Sequence, residues 1–116
     1  MRHSLPQRTL YFVGCEGDSE QAYLALLNKL AEERGLHVWI HGDRLNPGAG
    51  DPLELVKKAI QRLEDRRRRS TKYRYRAVFL DADTREQHPE RTRLALLKAR
   101  NADIQLVWQA PNHEAV

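Results

Sequence analysis

Apolar runs of strand length alternate with stretches of helical period along this chain, and that alternation constrains the fold more than any other feature. Residues 9–13 are β-branched and aromatic, and the run stops at Gly14 and Gly17, which flank Cys15 and Glu16. Asp18 and Ser19 are N-cap types, and Tyr23, Leu26, Leu27 and Leu30 follow at helical spacing until Gly35. Residues 36–40 alternate enough to predict a second strand. Past the turn-rich Asn46-Pro47-Gly48-Ala49-Gly50, Asp51-Pro52-Leu53-Glu54 starts a second helix. There the Asp side chain caps, Pro suits the first helical position, and Glu three residues on completes a capping box. Leu53, Val56, Ile60 and Leu63 form its apolar face. Residues 75–80 are apolar on both faces, as an interior parallel strand requires, and run straight into Asp81-Ala82-Asp83. A loop bearing His88 and Pro89 leads to a third helix marked by Leu94 and Leu97. Residues 104–108 then give a fourth strand, ended by Ala110-Pro111-Asn112.

Connections this long permit right-handed crossovers, so the expectation is an α/β domain with a four-stranded, mainly parallel sheet flanked by three helices. A length of 116 residues suffices for one such domain and not for two. The single cysteine, Cys15, excludes an internal disulfide framework and a Cys-x-x-Cys pair. No run approaches the roughly 18 apolar residues of a membrane helix, and the polar residues 1–8 lack the apolar centre of a secretory signal. A cytoplasmic protein with no membrane partner is expected.

Charge is unevenly spread. Residues 57–76 hold ten Lys and Arg against two acids, a net +8 that leaves −4 for the rest of a chain whose total is +4. A basic surface on an otherwise acidic domain is the footprint of phosphate-backbone binding, because each Lys or Arg in contact releases condensed counterions. Arg66, Arg67, Arg68, Arg69, Lys72 and Arg74 are the candidate nucleic-acid contacts, and a solvated helix tail is the plainer reading of the same run. Tyr73 and Tyr75 stand among these charges, placed either to stack on bases or to pack at the start of a strand.

In parallel sheets ligands gather beyond the carboxyl ends of the strands. Those ends are acidic here: Glu16 after the first strand, Asp81 and Asp83 after the third, and Glu114 somewhat past the fourth. If residues 81–83 stay extended, Asp81 and Asp83 project to one side while Glu16 approaches from a neighbouring strand. Converging carboxylates repel and raise one another's pKa values, and a divalent cation relieves that. Oxygen-only ligation selects Mg²⁺ or Mn²⁺. Such a cation polarises a phosphoryl oxygen and orients an attacking water. Capping of loops and helices is the competing role for strand-end acids, and Glu20 suits the dipole of the first helical turn.

Cys15-Glu16-Gly17-Asp18-Ser19-Glu20 after an apolar strand, with Tyr23 following, and Val78-Phe79-Leu80-Asp81-Ala82-Asp83 after two intervening helices, resemble the Toprim fold of topoisomerases, primases and related nucleases. Within it the RloB-like group is most similar, over residues 9–116. The resemblance implies that Glu16 is an acid/base carboxylate and metal contact, that Asp81 and Asp83 bind Mg²⁺, and that Glu20 is a second acidic contact. It also implies hydrolysis of DNA or RNA phosphodiesters, a setting in bacterial phage defence, and an ATPase encoded alongside. Many Toprim proteins carry a further acid two residues after the aspartate pair, where this chain has Arg85. The family continues past a Pro-x-x-Glu-like segment into another helix, whereas Pro111-Asn112-His113-Glu114 is followed only by Ala115 and Val116, the pattern of a C-terminally shortened form.

Two other classes fit parts of the pattern. A non-catalytic nucleic-acid-binding or regulatory module keeps the fold and the basic run without the chemistry. A nucleotide-sugar transferase uses an Asp-x-Asp metal motif, but too little chain follows Asp83 for an acceptor site. Cys15 has no partner histidine placed by any recognisable pattern, and His3, His37, His41, His88 and His113 lack ligand spacing. Residues 48–50 lack the Gly-Lys-Ser/Thr of a P-loop, so a helix-cap turn accounts for them better.

Overall fold

The computed structural model describes residues 8–45 and 51–109, and in it the alternation becomes eight elements. They are β1 (Thr9–Cys15), α1 (Asp18–Glu33), β2 (Val38–Arg44), α2 (Pro52–Arg68), β3 (Tyr75–Asp81), α3 (Ala82–Gln87), α4 (Pro89–Asn101) and β4 (Gln105–Gln109). The strands form one parallel sheet in the order β2-β1-β3-β4. The fold is therefore α/β with an all-parallel four-stranded sheet. Four helices stand where three were expected, because residues 82–87 coil immediately after β3 instead of forming a loop. The second strand lies later than the expected residues 36–40, and carries His41, Gly42 and Asp43 within it.

Each helix end has a local cause. Gly17, rather than Asp18 or Ser19, is the N-cap of α1, and its N–H donates to Glu20 Oε1 at 3.1 Å. Asp51 caps α2 as its sequence predicts, accepting from the Leu53 and Glu54 N–H groups at 3.0 and 3.3 Å. Glu54 turns its carboxylate to Lys57 and Arg91. Arg91 Nε also donates to Asp51 Oδ2 at 2.8 Å, which ties the start of α2 to the first turns of α4 and holds the Asp51 carboxyl below its ordinary pKa. At their far ends α1, α2 and α4 each pass through one residue of positive φ, Gly35, Ser70 and Asp103. The next N–H then reaches back to Ala31, Arg66 and Ala99 respectively, which satisfies carbonyls the helix leaves open.

Strand alternation sends Phe12, Val78 and Leu80 to one face, where they meet Leu53, Leu55, Val56 and Ala59 of α2 and Ala95 and Ala99 of α4. Burying a side chain such as Phe12 contributes about 2 kcal/mol. Leu45 is fully buried over Gly14, whose position has no room for a Cβ because Leu45 fills it. Among the described residues the opposite face is covered only in part. α1 packs on β2 and the margin of β1, closing a smaller cluster of Val13, Cys15 and Leu24. Its Asn28, buried at 7% exposure, bonds both the N–H and the carbonyl of Ile40 at 2.8 Å. Gln21 Nε2 donates to the Gly42 carbonyl, so side-chain amides occupy the outer edge of β2 where another strand would pair. Among the described residues no helix is long and apolar enough to cross a membrane.

Candidate functional site

From β1 the chain moves outward to β2, returns across the sheet, and moves the other way from β3 to β4. The strand order reverses between β1 and β3, and in an open parallel sheet this switch point leaves a crevice at the carboxyl ends. Gly14 lies opposite Val78 in the register, so Glu16 leaves β1 two positions beyond that pair and Asp81 closes β3 three positions beyond it. Sequence reasoning put both acids at this end, and the topology places them at the carboxyl ends of adjacent strands, just past the last β1–β3 pair.

The remaining acids are disposed differently from an extended Asp-x-Asp. Asp81 is exposed at the strand end, but Asp83 sits in the first turn of α3, so the period-two geometry that would align the pair is broken at Ala82. Its carboxylate there favours the helix dipole. Glu20 holds the Gly17 N–H in the α1 cap. Glu16 is half-buried, and Glu114 lies outside the described residues. Among the described residues no group of three or more His, Cys, Asp or Glu side chains is arranged to hold a metal ion. Arg85, at the position where many Toprim proteins have a further acid, lies 5.0 Å from the centroid of the Trp108 ring and ties α3 to β4.

The basic run occupies the other end of the sheet. α2 runs back from the carboxyl edge, and its last turn, with residues 69–74, leads into the start of β3. Arg67, Arg68, Arg69, Lys72 and Arg74 are exposed there, with Arg67 Nη2 donating to Glu64 Oε1 at 2.9 Å. Arg66 differs from its neighbours: it is half-buried, donating to Asp43 Oδ2 at 2.6 Å and to Tyr73 Oη at 2.8 Å. Arg62 adds a second bond to Asp43 Oδ2 at 3.0 Å. The Tyr73 hydroxyl meets His41 Nδ1 at 2.6 Å.

The resulting chain of Arg62, Asp43, Arg66, Tyr73 and His41 links β2, α2 and the segment before β3, and sequence reasoning missed it. Its only signal is spacing: His41 and Asp43 share one face of β2, and Arg62 and Arg66 lie one helical turn apart. Tyr73 is buried and packs edge-on against Phe12, whereas Tyr75 remains 52% exposed. Cys15 is fully buried, and burial, with Glu20 and Asp43 adding, pushes its thiol up to about 12. At neutral pH it is a packing residue and not a nucleophile. Comparison with protein-family models, with curated proteins and with solved structures gave no match.

Proposed function

We propose that this domain is a metal-dependent phosphodiesterase of nucleic acids, a nuclease or nickase of Toprim type. The observation that carries the reading is the position of Glu16 and Asp81 on adjacent strand ends at the switch point of the sheet. Its donor chemistry fits Mg²⁺ or Mn²⁺. Mg²⁺ keeps most of its waters and is commonly held by one or two carboxylates together with substrate phosphates, so a closed cage of three acids is not needed. Glu16 and Asp81 would hold the ion, with Asp83 one short turn away, and the ion would supply charge neutralisation at the phosphoryl oxygens. Glu16 is the general base toward the attacking water. Arg67, Arg68, Arg69, Lys72 and Arg74 bind backbone phosphates. Arg66 belongs to the Asp43 and Tyr73 network and acts through stability. By resemblance the setting is bacterial phage defence beside an ATPase, in the cytoplasm, with DNA or RNA as substrate.

Nicking of supercoiled plasmid with Mg²⁺ or Mn²⁺ tests this. The expected outcome is a loss of at least about 100-fold in Asp81→Ala and Glu16→Gln, the scale at which a lost general base or metal contact is felt. Equal nicking by all three proteins would remove the site.

A second reading, a binding or regulatory module without catalysis, is favoured by one observation: the exposed cations and the carboxylate end lie at opposite edges of the sheet. Salt-dependent binding with no cleavage at any metal concentration selects it. Stabilisation by a uridine diphosphate sugar would instead select the transferase.

A further inference from the structure

We infer that the uncovered face of the sheet is a track for single-stranded nucleic acid, on which unpaired bases stack while the strand runs from the basic edge to the carboxylate edge. The inference rests on the nucleic-acid reading above and names its substrate class. It starts from alternation in β3. Val78 and Leu80 are buried under α2 and α4, and Phe79 between them belongs with Tyr75, Ala77 and Asp81 to the other face, where Phe79 is half-buried against the Val13, Cys15 and Leu24 cluster while Tyr75 and Asp81 are exposed. Gln105, Val107 and Gln109 continue that face on β4, with Val107 38% exposed. α1 lies mainly on β2 and the margin of β1 and its cluster extends to Phe79, so among the described residues Tyr75, Asp81 and, on β4, Gln105 and Val107 stay exposed on this face.

What occupies such a face follows from its chemistry. Tyr11 and Tyr75 stand side by side on neighbouring strands, with ring centroids 5.0 Å apart and planes inclined at 52°. The Arg74 guanidinium lies 5.8 Å from the Tyr75 ring, next to a notch of about 460 Å³ that Arg76 and Arg100 also line. Aromatic rings bordered by guanidinium groups at one end, with Gln105 two positions further along on β4 and Gln109 opposite Asp81 at the far end, match bases and phosphates together. Arg76 is already paired with Asp103 at 2.8 Å, but an aliphatic partner surface would desolvate the exposed Arg74 and Arg100 cations. A duplex keeps its bases inside the stack, so only an unpaired strand can use the rings. From Tyr75 to Asp81 the track is about 20 Å long, and its far end is the exposed Asp81.

The test is fluorescence anisotropy of a labelled oligothymidylate and of a duplex, with EDTA present so that cleavage does not enter. The single strand is expected to bind more tightly. Tyr75→Ala is expected to weaken it about fivefold or more while leaving duplex binding and the melting temperature in place, and Tyr75→Phe is expected to restore it. Tyr75 is exposed, so its substitution spares the core. Equal affinity for both forms, or a Tyr75→Ala protein that binds like the parent, overturns the inference. So does a dimer by sedimentation that Val107→Glu dissociates, which would assign the face to a second copy. Because no metal is present, the two proposals fail separately. A protein that never nicks but shows the Tyr75-dependent preference keeps the track and loses the hydrolase, and one that nicks without the preference does the reverse.

Discussion

Within the polar chain that joins α2 to the sheet, Arg66 donates to the Tyr73 oxygen. With its proton on Nε2, a neutral His41 accepts the Tyr73 hydroxyl hydrogen at Nδ1, and that tautomer pairs every group in the chain. A protonated His41 would lose that acceptor and face the Arg66 cation. Burial first, and then Arg66, hold the ring below its ordinary 6.5, against a smaller opposing pull from Asp43. Below pH 6.5 the unfolded chain therefore binds more protons than the folded one, so stability is complete above that value and is lost as the pH falls through it toward the lower folded pKa. The loss amounts to about 1.4 kcal/mol for each unit of depression. Urea midpoints measured from pH 7.5 down to pH 5.5 are expected to fall, and to fall less in His41→Gln, which keeps an acceptor for Tyr73. An identical pH slope in the variant would rule out His41 as the source. None of this was legible in the arginine run, because Arg66 and Arg67 are chemically alike and only the phase of α2 turns one inward.

Helical period located α1 and α4 correctly but placed the α1 face only in part and the α4 face wrongly. Of the expected α1 stripe, Leu27 packs against the Val13, Cys15 and Leu24 cluster, while Tyr23, Leu26 and Leu30 are exposed and Leu24, Asn28 and Ala31 are buried instead. On α4 the expected Leu94 and Leu97 are exposed, and Thr92, Ala95 and Ala99 face inward. The physical reason on α4 is close helix approach, for which alanines facing Ala59 of α2 leave room. On α1 it is the edge of β2. A polar residue on a buried helix face is a mismatch to any hydrophobicity pattern, but the Ile40 backbone needs an amide there. Asn28→Ala removes both bonds and is expected to cost about 1–2 kcal/mol. Hydrogen exchange gives the sharper readout: the Ile40 amide should lose protection relative to amides paired inside the sheet. Unchanged protection at Ile40 would mean that Asn28 does not guard the edge. The same edge explains the late start of β2, since a strand carrying His41 and Asp43 inward reads as polar until α2 supplies Arg62 and Arg66.

Across the whole molecule the sheet separates two chemistries by its own length. The strand ends bearing Glu16 and Asp81 were legible because a β-branched run stopped by glycine and an apolar run ending abruptly at Asp81-Ala82-Asp83 are local signals. The open face was not: residues 75–80 are apolar on both sides, which predicts cover on both, and cover depends on where α1 lies. On the proposed function, a nucleic acid that meets both the acids at one edge and the cations at the other spans about 20 Å. Binding and chemistry should therefore separate in mutant kinetics. On that proposal Lys72→Ala and Arg69→Ala remove phosphate contacts far from the scissile bond, so KM is expected to rise with kcat unchanged, and Asp81→Ala to lower kcat. The plot of log affinity against log salt should become shallower by about 0.7–0.9 for each phosphate contact removed. Arg66→Ala makes the contrast sharp, because its guanidinium is bonded to Asp43 and Tyr73. It should lower the denaturation midpoint by leaving the Asp43 carboxylate partly unpaired, and keep the salt slope of the parent. A reduced salt slope in Arg66→Ala at unaltered stability would place that side chain on the phosphate backbone, and the internal network would then be the wrong account of it.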